Sequence, residues 1–585
     1  MPYVNGIYFG APGTAVVVND TNFQGAPNVG GLGVLLIGPS VDGQPNVVLG
    51  PFASPNAAIA QLKGGDGLQG VLNTFTGAAK VPGGFASISL INVNPLTVGA
   101  SVIKSAGAVA QINLQTVQYG LPANSDKWMV QAGSTNGYKI SQASDYVGPG
   151  GLTFAPDTTD NVGLNVVSIY YNGTGTTPTY TVSDTQLVLT ATTSDTGGTI
   201  TFTTGMTAQQ LVNQINTFAG WNAAVLDPNP NDLVFPADVV PGTTTKSIQC
   251  LFDNVPTAAA VSTVSTAPTI LTANIAEVVR YFNALNLYFT ATRQAGATSL
   301  ATSSAWTYAT GGTQPTATNS DWQNAYTTAQ SAIGMMFAQA VSSALSIAQM
   351  NDAHCQYMAS IGQPRRGYWG DVSGQTLATE ITNQQTLNSN RTSLVWPEQQ
   401  GVDYNGNPTT FPPYLEACSV LGQRAATPPT QALTQQPVAS NGMSIGVAVT
   451  PGMVAQALQN NIAILAPNQH GIIVMQHDMT TWSQNSAYDK VENATGLMVD
   501  IITMDLNAAL QQFIGKITPL GIAQSKLFSR LNYWYGQGYI VVQPKLTDVQ
   551  LTQPAADQIG GAVNAAIGVP TNYIGLQLVP VAVAS

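Results

Sequence analysis

The segment spanning residues 31–93 constrains the fold most, because it carries two apolar runs with helical periodicity between them. The run GVLLIG at residues 33–38 is bounded by turn residues and predicts a buried strand, and FASISLINV at residues 85–93 alternates like a second strand. Ser54 is a candidate N-cap for the helical stretch between them. One face of that stretch has i, i+3, i+4, i+7 spacing, at Leu68, Val71, Leu72 and Phe75. This strand-helix-strand order predicts a mixed α/β layer.

The composition changes near Val117, and residues 116–269 are dense in Thr, Gly, Asn and Asp. Short strand-like pieces alternate with turn clusters there, which is typical of an antiparallel β domain: NVVSIYY, TQLVLTAT and GTITFTT. A single helix, TAQQLVNQINTF, interrupts them, with Thr207 as its candidate N-cap. The stretch is therefore predicted to be a separately folding insertion.

Helical periodicity returns at NIAEVVRYFNAL, where Asn274 is a candidate N-cap, and a second helix is predicted from about Asp321 to Met350. Residues 397–440 are rich in Pro and Gln and indicate a boundary. An α/β pattern follows, with a long helix through GLMVDIITMDLNAALQQFIG and a final strand GYIVVQPKL. Residues 1–22 and the tail after Pro570 lack a helical stripe and are predicted to be extended arms.

Charge is scarce in this chain, and that restricts its partners. Charged residues make up 8% of the 585 residues, against about 25% in ordinary domains, while apolar residues make up 44%. This combination predicts a folded chain of two to four domains, with a surface of hydroxyls and amides that gains solubility by assembly. The net charge of −11 and the absence of basic runs argue against nucleic acid as a partner. No secretory signal and no apolar run of about 20 residues is evident, so no stable membrane association is expected.

The sequence shows no pattern of an active site. The stretch YATGGTQPTATNSDW at residues 308–322 lacks the lysine of a phosphate-binding loop, and it is better explained as a turn before a helix capped by Asn319 or Ser320. His470 and His477 bracket a predicted strand that would hold them more than about 20 Å apart. The remaining histidine and the cysteines are predicted to be structural: His354, Cys250, Cys355 and Cys418. We therefore predict no catalytic, cofactor-binding or metal site, and no cofactor.

Several segments resemble the contractile-tail sheath proteins of bacteriophages, a family shared with contractile injection systems. The opening GIYFGAPGTAVVVND is similar to the family's N-terminal arm, and residues 31–78 resemble its most recognisable early segment. YGLPANSDKWMVQ is similar to the phrase that leads into the family's inserted domain, and YLEACSVLGQRAATPPTQALTQQPVASNGM to its boundary with the last domain. In residues 308–322 the matching positions are Gly311, Gly312, Asp321 and Trp322, although the family's third glycine is missing.

The resemblance implies an α+β or mixed α/β multidomain fold, with discontinuous inner and middle α/β domains, an inserted antiparallel β-rich outer domain and extended terminal arms. The corresponding boundaries in this chain are residues 1–22 for the N-terminal arm, 23–115 and 270–435 for the middle domain, 116–269 for the outer domain, 436–570 for the inner domain and 571–585 for the C-terminal arm. These boundaries agree with the shifts in composition.

The resemblance also implies a structural function. A sheath subunit polymerises into a helical tube of stacked rings around an inner tail tube, and contraction drives that tube through the host envelope. The implied partners are further copies of the chain, the inner tail tube protein, and the baseplate and tail terminator proteins. The implied location is the virion, after assembly in the host cytoplasm.

Two sets of residues are candidates for assembly contacts. The arms would add strands to neighbouring subunits through Val4, Ile7, Tyr8, Phe9, Val16, Val17, Val18, Tyr573, Ile574, Leu576, Leu578 and Val579. The candidates for contact with the inner tube are Lys516, Lys526 and Arg530, for which ordinary solvated positions remain an alternative.

Two other classes of protein stay open at this stage. A secreted β-rich surface-layer or adhesin-like protein would also be acidic and rich in Thr and Asn, but the two α/β regions and the missing export signal count against it. An oligomeric hydrolase would need a catalytic site that the sequence does not show.

Overall fold

The computed structural model describes residues 3–4, 7–8 and 32–571, apart from gaps at residues 85, 193–196, 230, 232, 235–236, 240–245, 249–250, 404, 406, 439–441, 446, 515–518 and 556–557. The α-helices of the described residues are α1 Pro55–Leu62, α2 Gly65–Ala79, α3 Ala208–Ile215, α4 Asn274–Leu285, α5 Asn319–Ala329, α6 Leu345–Ser360, α7 Leu377–Leu387, α8 Pro413–Ala426, α9 Pro451–Gln459, α10 Tyr488–Val491, α11 Asn493–Gln511 and α12 Leu520–Gly536. None of these described helices combines the length and hydropathy needed to cross a membrane.

The strands of the described residues are β1 Tyr3–Val4, β2 Ile7–Tyr8, β3 Gly33–Gly38, β4 Val48–Leu49, β5 Ser87–Asn92, β6 Val98–Lys104, β7 Ala110–Tyr119, β8 Asp126–Ala132, β9 Tyr138–Ser144, β10 Asp157–Val162, β11 Asn165–Tyr171, β12 Thr176–Val182, β13 Gln186–Thr192, β14 Thr199–Thr201, β15 Trp221–Val225, β16 Ala237–Val239, β17 Lys246–Ile248, β18 Val255–Ala260, β19 Thr269–Thr272, β20 Phe289–Arg293, β21 Thr307–Tyr308, β22 Met335–Ala340, β23 Gly367–Trp369, β24 Thr392–Trp396, β25 Gln399–Val402, β26 Pro408–Phe411, β27 Gly442–Ile445, β28 Ala463–Pro467, β29 Ile473–Met475, β30 Val549–Ala555 and β31 Gln558–Val563.

The chain forms two compact units. The first comprises Met1–Pro95, Gly148–Gly151 and Pro315–Ser585, and the second comprises Leu96–Val147 and Leu152–Gln314. The second unit is wider than the predicted insertion at residues 116–269, because β20 pairs with β7 and β21 pairs with β8. Strands on both flanks of the insertion therefore belong to its sheets.

The sheet in the first unit begins with the predicted strand-helix-strand segment. Strand β3 runs parallel to both β5 and β22, and the short β4 closes one edge in the order β22-β3-β5-β4. The hydroxyl of Ser54 caps α1 as predicted, accepting a hydrogen bond from the Ala57 N–H at 3.2 Å. A parallel bridge between Phe337 and Arg366 joins this sheet to a second one, ordered β23-β24-β28-β29. The predicted mixed α/β layer is confirmed.

Helices α2 and α8 cover the sheet of the first unit that contains β3, and the two helices cross at glycines. A Cβ atom at Gly77 would lie 1.8 Å from the carbonyl oxygen of Ser419, and one at Gly422 would lie 2.0 Å from that of Thr74. The amide of Asn73 also donates to the Leu415 carbonyl across the crossing, at 3.0 Å. Backbone meets backbone here, so any side chain would force the helices apart.

The second unit contains two antiparallel cores. One consists of the sheets β15-β11-β19 and β14-β13-β12-β18 with α3, and the other consists of β20-β7-β6 and β10-β9-β8-β21 with α4. Thr207 caps α3 as predicted and forms a reciprocal capping box with Gln210. Asn274 does not cap α4 as predicted, since it is the first residue of the helix. Its N–H instead donates to the carboxylate of Asp253 at 3.1 Å.

Three further local predictions were wrong. The helix predicted from Asp321 to Met350 is divided into α5, β22 and α6, because the apolar run in β22 is buried between β3 and the segment at Arg366. Thr318, not Asn319 or Ser320, is the N-cap of α5, and its N–H donates to Asp321 at 2.7 Å. The final strand predicted in GYIVVQPKL contributes only the single bridge between Ile540 and Ile567.

The glycine crossing of α2 and α8 gives a stability prediction. Gly422→Ala should destabilise the first unit by about 2 kcal/mol, because overpacking against a backbone carbonyl costs about 3 kcal/mol and the gain in helix propensity is only about 1 kcal/mol. Gly521→Ala is the matched control, since a Cβ at this glycine of α12 meets nothing within 4 Å. Denaturant unfolding of both variants is the measurement, and equal stability of the two would contradict the packing described here.

Candidate assembly surface

The last two long helices of the first unit form the base of the candidate surface. Helix α12 buries one stripe, consisting of Ala523, Leu527, Leu531 and Trp534. These residues recur every three or four positions, which is the spacing of a single helix face. The opposite face, which includes Lys526, is exposed. The buried stripe therefore fixes which side of α12 is available to a partner.

Asp505 of α11 determines where Arg530 points. Its carboxylate accepts from Nε of Arg530 at 2.8 Å and from Nη2 at 2.7 Å, and it also accepts from Nε1 of Trp534 at 2.8 Å. The hydrogen bond to Asp505 raises the pKa of Arg530. The guanidinium also lies 4.5 Å from the ring centroid of Tyr533. Its charge is therefore neutralised within the subunit.

The predicted tube-facing residues are only partly placed by the structure. Lys526 and Arg530 lie one turn apart on α12, with Lys526 exposed and Arg530 partly buried. Lys516 lies outside the described residues. Nothing in the sequence spacing indicated the bond between Arg530 and Asp505, which are 25 residues apart. The role in tube contact stays a prediction.

A two-stranded hairpin, β30–β31, lies beside α12. Its register pairs Val549 with Val563 and Leu551 with Gly561. Val549 is fully buried, and Gln524 of α12 donates from Nε2 to its carbonyl at 2.6 Å. Among the described strands, β30 and β31 pair only with each other. A two-stranded ribbon is marginal alone in water, so α12 supports one face of a sheet that further strands could extend.

Apolar side chains are exposed around α12 and this hairpin. Val541 and Val542 are each 61% exposed, and further exposed residues complete what we call the C-terminal apolar surface: Ile522, Tyr535, Leu546 and Val569. The segment carrying these valines is held by hydrogen bonds from Val541 N–H to the Ala566 carbonyl at 2.8 Å and from Gly568 N–H to the Tyr539 carbonyl at 2.9 Å. Exposed apolar side chains that adjoin one another mark interaction surfaces, so these residues are candidates for one.

The arm residues are described only in part. Tyr3 pairs with Tyr8 and Val4 pairs with Ile7 in an antiparallel ladder, so the chain doubles back here where a single extended run was expected. The other predicted arm residues lie outside the described residues: Phe9, Val16, Val17, Val18, Tyr573, Ile574, Leu576, Leu578 and Val579. Strand addition by the arms stays a prediction.

His354 and Cys355 are buried in the first unit, whereas Cys250 lies outside the described residues. Nε2 of His354 lies 2.9 Å from Nη1 of Arg365, whose guanidinium donates to the carbonyls of Ala329 and Ala332 near the end of α5. Burial, followed by the charge of Arg365, lowers the pKa of His354 to about 4. Burial also raises the pKa of the Cys355 thiol to about 12, so the thiolate form is suppressed at neutral pH. His477 contacts the carboxylate of Glu492.

Comparison with known proteins identifies the fold. A sheath tail protein from Desulfitobacterium hafniense is similar over 91% of this chain and 92% of its own, with 12% identity and a TM-score of 0.51. A sheath tail protein from Listeria innocua is similar over 90% of this chain and 89% of its own, with 10% identity and a TM-score of 0.54. No family model matches the sequence, and no curated protein matches it. The chain therefore shares the fold of sheath tail proteins, as the sequence resemblance predicted.

The pKa of His354 gives a prediction about pH. Because unfolding restores its ordinary value of 6.5, the unfolded chain binds a proton between pH 6.5 and about 4 that the folded chain does not. Stability should therefore fall as the pH falls through this window, by up to about 1.4 kcal/mol per pH unit, and this term should vanish above it.

The measurement is the unfolding free energy of the wild type and of His354→Gln from pH 4 to pH 8. Lowering the pH from 8 to 4 should raise the unfolding free energy of the variant, relative to that of the wild type, by about 2–3 kcal/mol. His470→Gln is the control, because His470 is exposed, and its profile should run parallel to that of the wild type. A parallel profile for His354→Gln would contradict the prediction.

Proposed function

We propose that this chain is the sheath subunit of a contractile tail, which polymerises helically around an inner tube and contracts to drive that tube through a host envelope. The observation that carries the proposal is the similarity of fold to two sheath tail proteins over about nine tenths of each chain. The role is structural and involves no catalysis. The apolar surface around α12, exposed in a single subunit, is consistent with burial between copies.

Assembly is proposed to use strand addition at the hairpin β30–β31. Terminal arms of neighbouring subunits would extend this two-stranded sheet, with each backbone hydrogen bond contributing about 0.5–1.5 kcal/mol. A head-to-tail contact whose rotation does not close generates an open helix, which is the symmetry of a tube. Small contributions repeated in every subunit then hold the tube together.

Contraction is proposed to be an exchange of one set of contacts between subunits for a tighter set, with the arms as tethers. A subunit that changes neighbours in this way needs a rigid interior. In the first unit, Asp500 of α11 accepts from Nε of Arg366 and from Nη1 of Arg391, each at 2.6 Å. These buried contacts attach α11 firmly to the sheet, so that the helices and sheet can move as one body.

The remaining partners follow from the same proposal. Lys526, exposed on α12, and Arg530 beside it are the candidate contacts to the inner tail tube protein, and a baseplate and a tail terminator would bind the two ends of the sheath. We place the assembled protein in a phage virion, and a related contractile injection particle would use the same subunit in the same way.

Deletion of the arms tests the strand-addition step. Removing residues 1–15 or residues 571–585 should leave subunits that fold but do not polymerise, because the added strands are lost. Negative-stain microscopy would show long striated tubes for the wild type and dispersed particles for each deletion. Normal long tubes from either deletion would contradict the role of that arm, and flat lattices from the wild type would favour a surface-layer protein.

Charge placed on the C-terminal apolar surface tests the subunit contact. The double substitution Val541→Asp, Val542→Asp should give folded monomers that form no tubes, because burying two carboxylates in an apolar contact is strongly unfavourable. Val264→Asp is the matched control, since Val264 is 52% exposed in the second unit. The sedimentation profile and micrographs should be normal for the control, and tubes formed by the double variant would exclude this surface from the interface.

A further inference from the structure

One exposed and one partly buried aromatic side chain lie at an edge strand of the second unit. Trp306 directly precedes β21 and Tyr308 ends it, and β21 is the outermost strand of the sheet β10-β9-β8-β21. Tyr308 is 46% exposed. Both rings lie close to Lys127 of the neighbouring strand, so they are near each other at the margin of the sheet.

A lysine on the neighbouring strand supports both rings. Lys127 is the direct cross-strand partner of Tyr308, and its Nζ lies 5.0 Å from the ring centroid of Trp306 and 5.5 Å from that of Tyr308. Its side chain is only 13% exposed, so the ammonium is covered while the tyrosine ring meets solvent. The attraction between the cation and the two ring faces fixes the arrangement of the pair.

Asp145 contacts both Lys127 and Tyr308, and its carboxylate keeps further positions that can accept hydrogen bonds. Its carboxylate accepts from Nζ of Lys127 at 2.5 Å and from the hydroxyl of Tyr308 at 2.6 Å. It is 51% exposed, and the hydrogen bond from Lys127 lowers its pKa, so the carboxylate is ionised at neutral pH. A carboxylate can accept about four hydrogen bonds, so exposed lone pairs remain beside the rings.

These observations specify the chemistry of a ligand. The charges of Lys127 and Asp145 cancel, and the neighbouring exposed residues of the strand segment carry hydroxyls and no charge: Ser303, Ser304, Thr307 and Thr310. The group therefore offers the exposed ring of Tyr308 beside the partly buried ring of Trp306, an uncharged strand segment and acceptors at one edge. A pyranose ring has the complementary features, because its axial C–H groups form an apolar face and its hydroxyls point outward from the ring edge.

We propose that Trp306 and Tyr308 form a stacking platform for a neutral saccharide, with Asp145 accepting hydrogen bonds from sugar hydroxyls. A protein partner fits less well, since a stable protein interface buries about 800 Å² on each side, and two partly buried rings offer at most about 200 Å². Because the rings are already held by Lys127 and Asp145, binding would order few additional side chains. The inference does not depend on the sheath role.

Saturation-transfer difference NMR on the full chain tests the platform with three probes. Cellohexaose and chitohexaose carry β-linked pyranose rings without and with acetamido groups, and mannitol has the same hydroxyl chemistry without a ring face. At about 10 mM ligand, the wild type should transfer saturation to the ring C–H protons of at least one oligosaccharide. It should transfer none to the protons of mannitol. The responding oligosaccharide distinguishes the two sources of the shared pyranose chemistry.

Substitutions then locate the binding. Trp306→Ala and Tyr308→Ala should each weaken oligosaccharide binding at least tenfold, whereas Tyr308→Phe, which keeps the ring, should weaken it less than Tyr308→Ala. Tyr488→Ala is the matched control, because Tyr488 is 61% exposed in the first unit, and it should bind like the wild type. Circular dichroism confirms folding of each variant. The proposal would be overturned if the wild type responded to neither oligosaccharide, or if Trp306→Ala bound as well as the wild type. If the wild type bound no saccharide and Trp306→Ala lost self-assembly, the rings would belong to a subunit contact, and the proposal would again be overturned.

Discussion

The buried contact of Asp500 with Arg366 and Arg391 organises the first unit. Arg366 lies where the two sheets meet, and its backbone bridges to Phe337 while its side chain reaches α11. A Cβ at Gly496 would lie 2.3 Å from Nη2 of Arg366, so the helix must carry a glycine where the guanidinium passes. Removing one partner of such a group leaves an unpaired buried charge, which typically costs about 3–5 kcal/mol. Sheet and helix are therefore bound to one arrangement.

The scarcity of charge in the sequence has a structural counterpart. Several of the few charged residues are buried in pairs, such as Lys63 with Asp42 at 2.6 Å and Arg424 with Asp478 at 3.6 Å. These charges specify contacts inside the subunit and contribute little to its solubility. The surface carries amides, hydroxyls, exposed charges such as Lys526, and the apolar residues around α12. The apolar part of this surface favours burial against a partner.

Local sequence signals predicted the elements whose formation depends on nearby residues. The strand-helix-strand segment and the caps at Ser54 and Thr207 were of this kind. The helix predicted across β22 was wrong because those residues pair with β3 in the sheet. Asp505 was missed as the partner of Arg530 because no sequence periodicity connects the two residues. The sequence did not single out Trp306 and Tyr308 as a pair. Their support by Lys127, far away along the chain, needed the structure.

A fold shared at 12% identity must depend on features that most residues can supply. Strand pairing is one such feature, because every residue except proline carries both a backbone donor and a backbone acceptor. The proposed assembly through β30–β31 uses the same groups, so it tolerates the same divergence. Side chains are then restricted only where geometry leaves no choice, as at Gly77 and Gly422. Outside such positions the sequence is free to change, and surface features such as the aromatic pair on β21 can be particular to this chain.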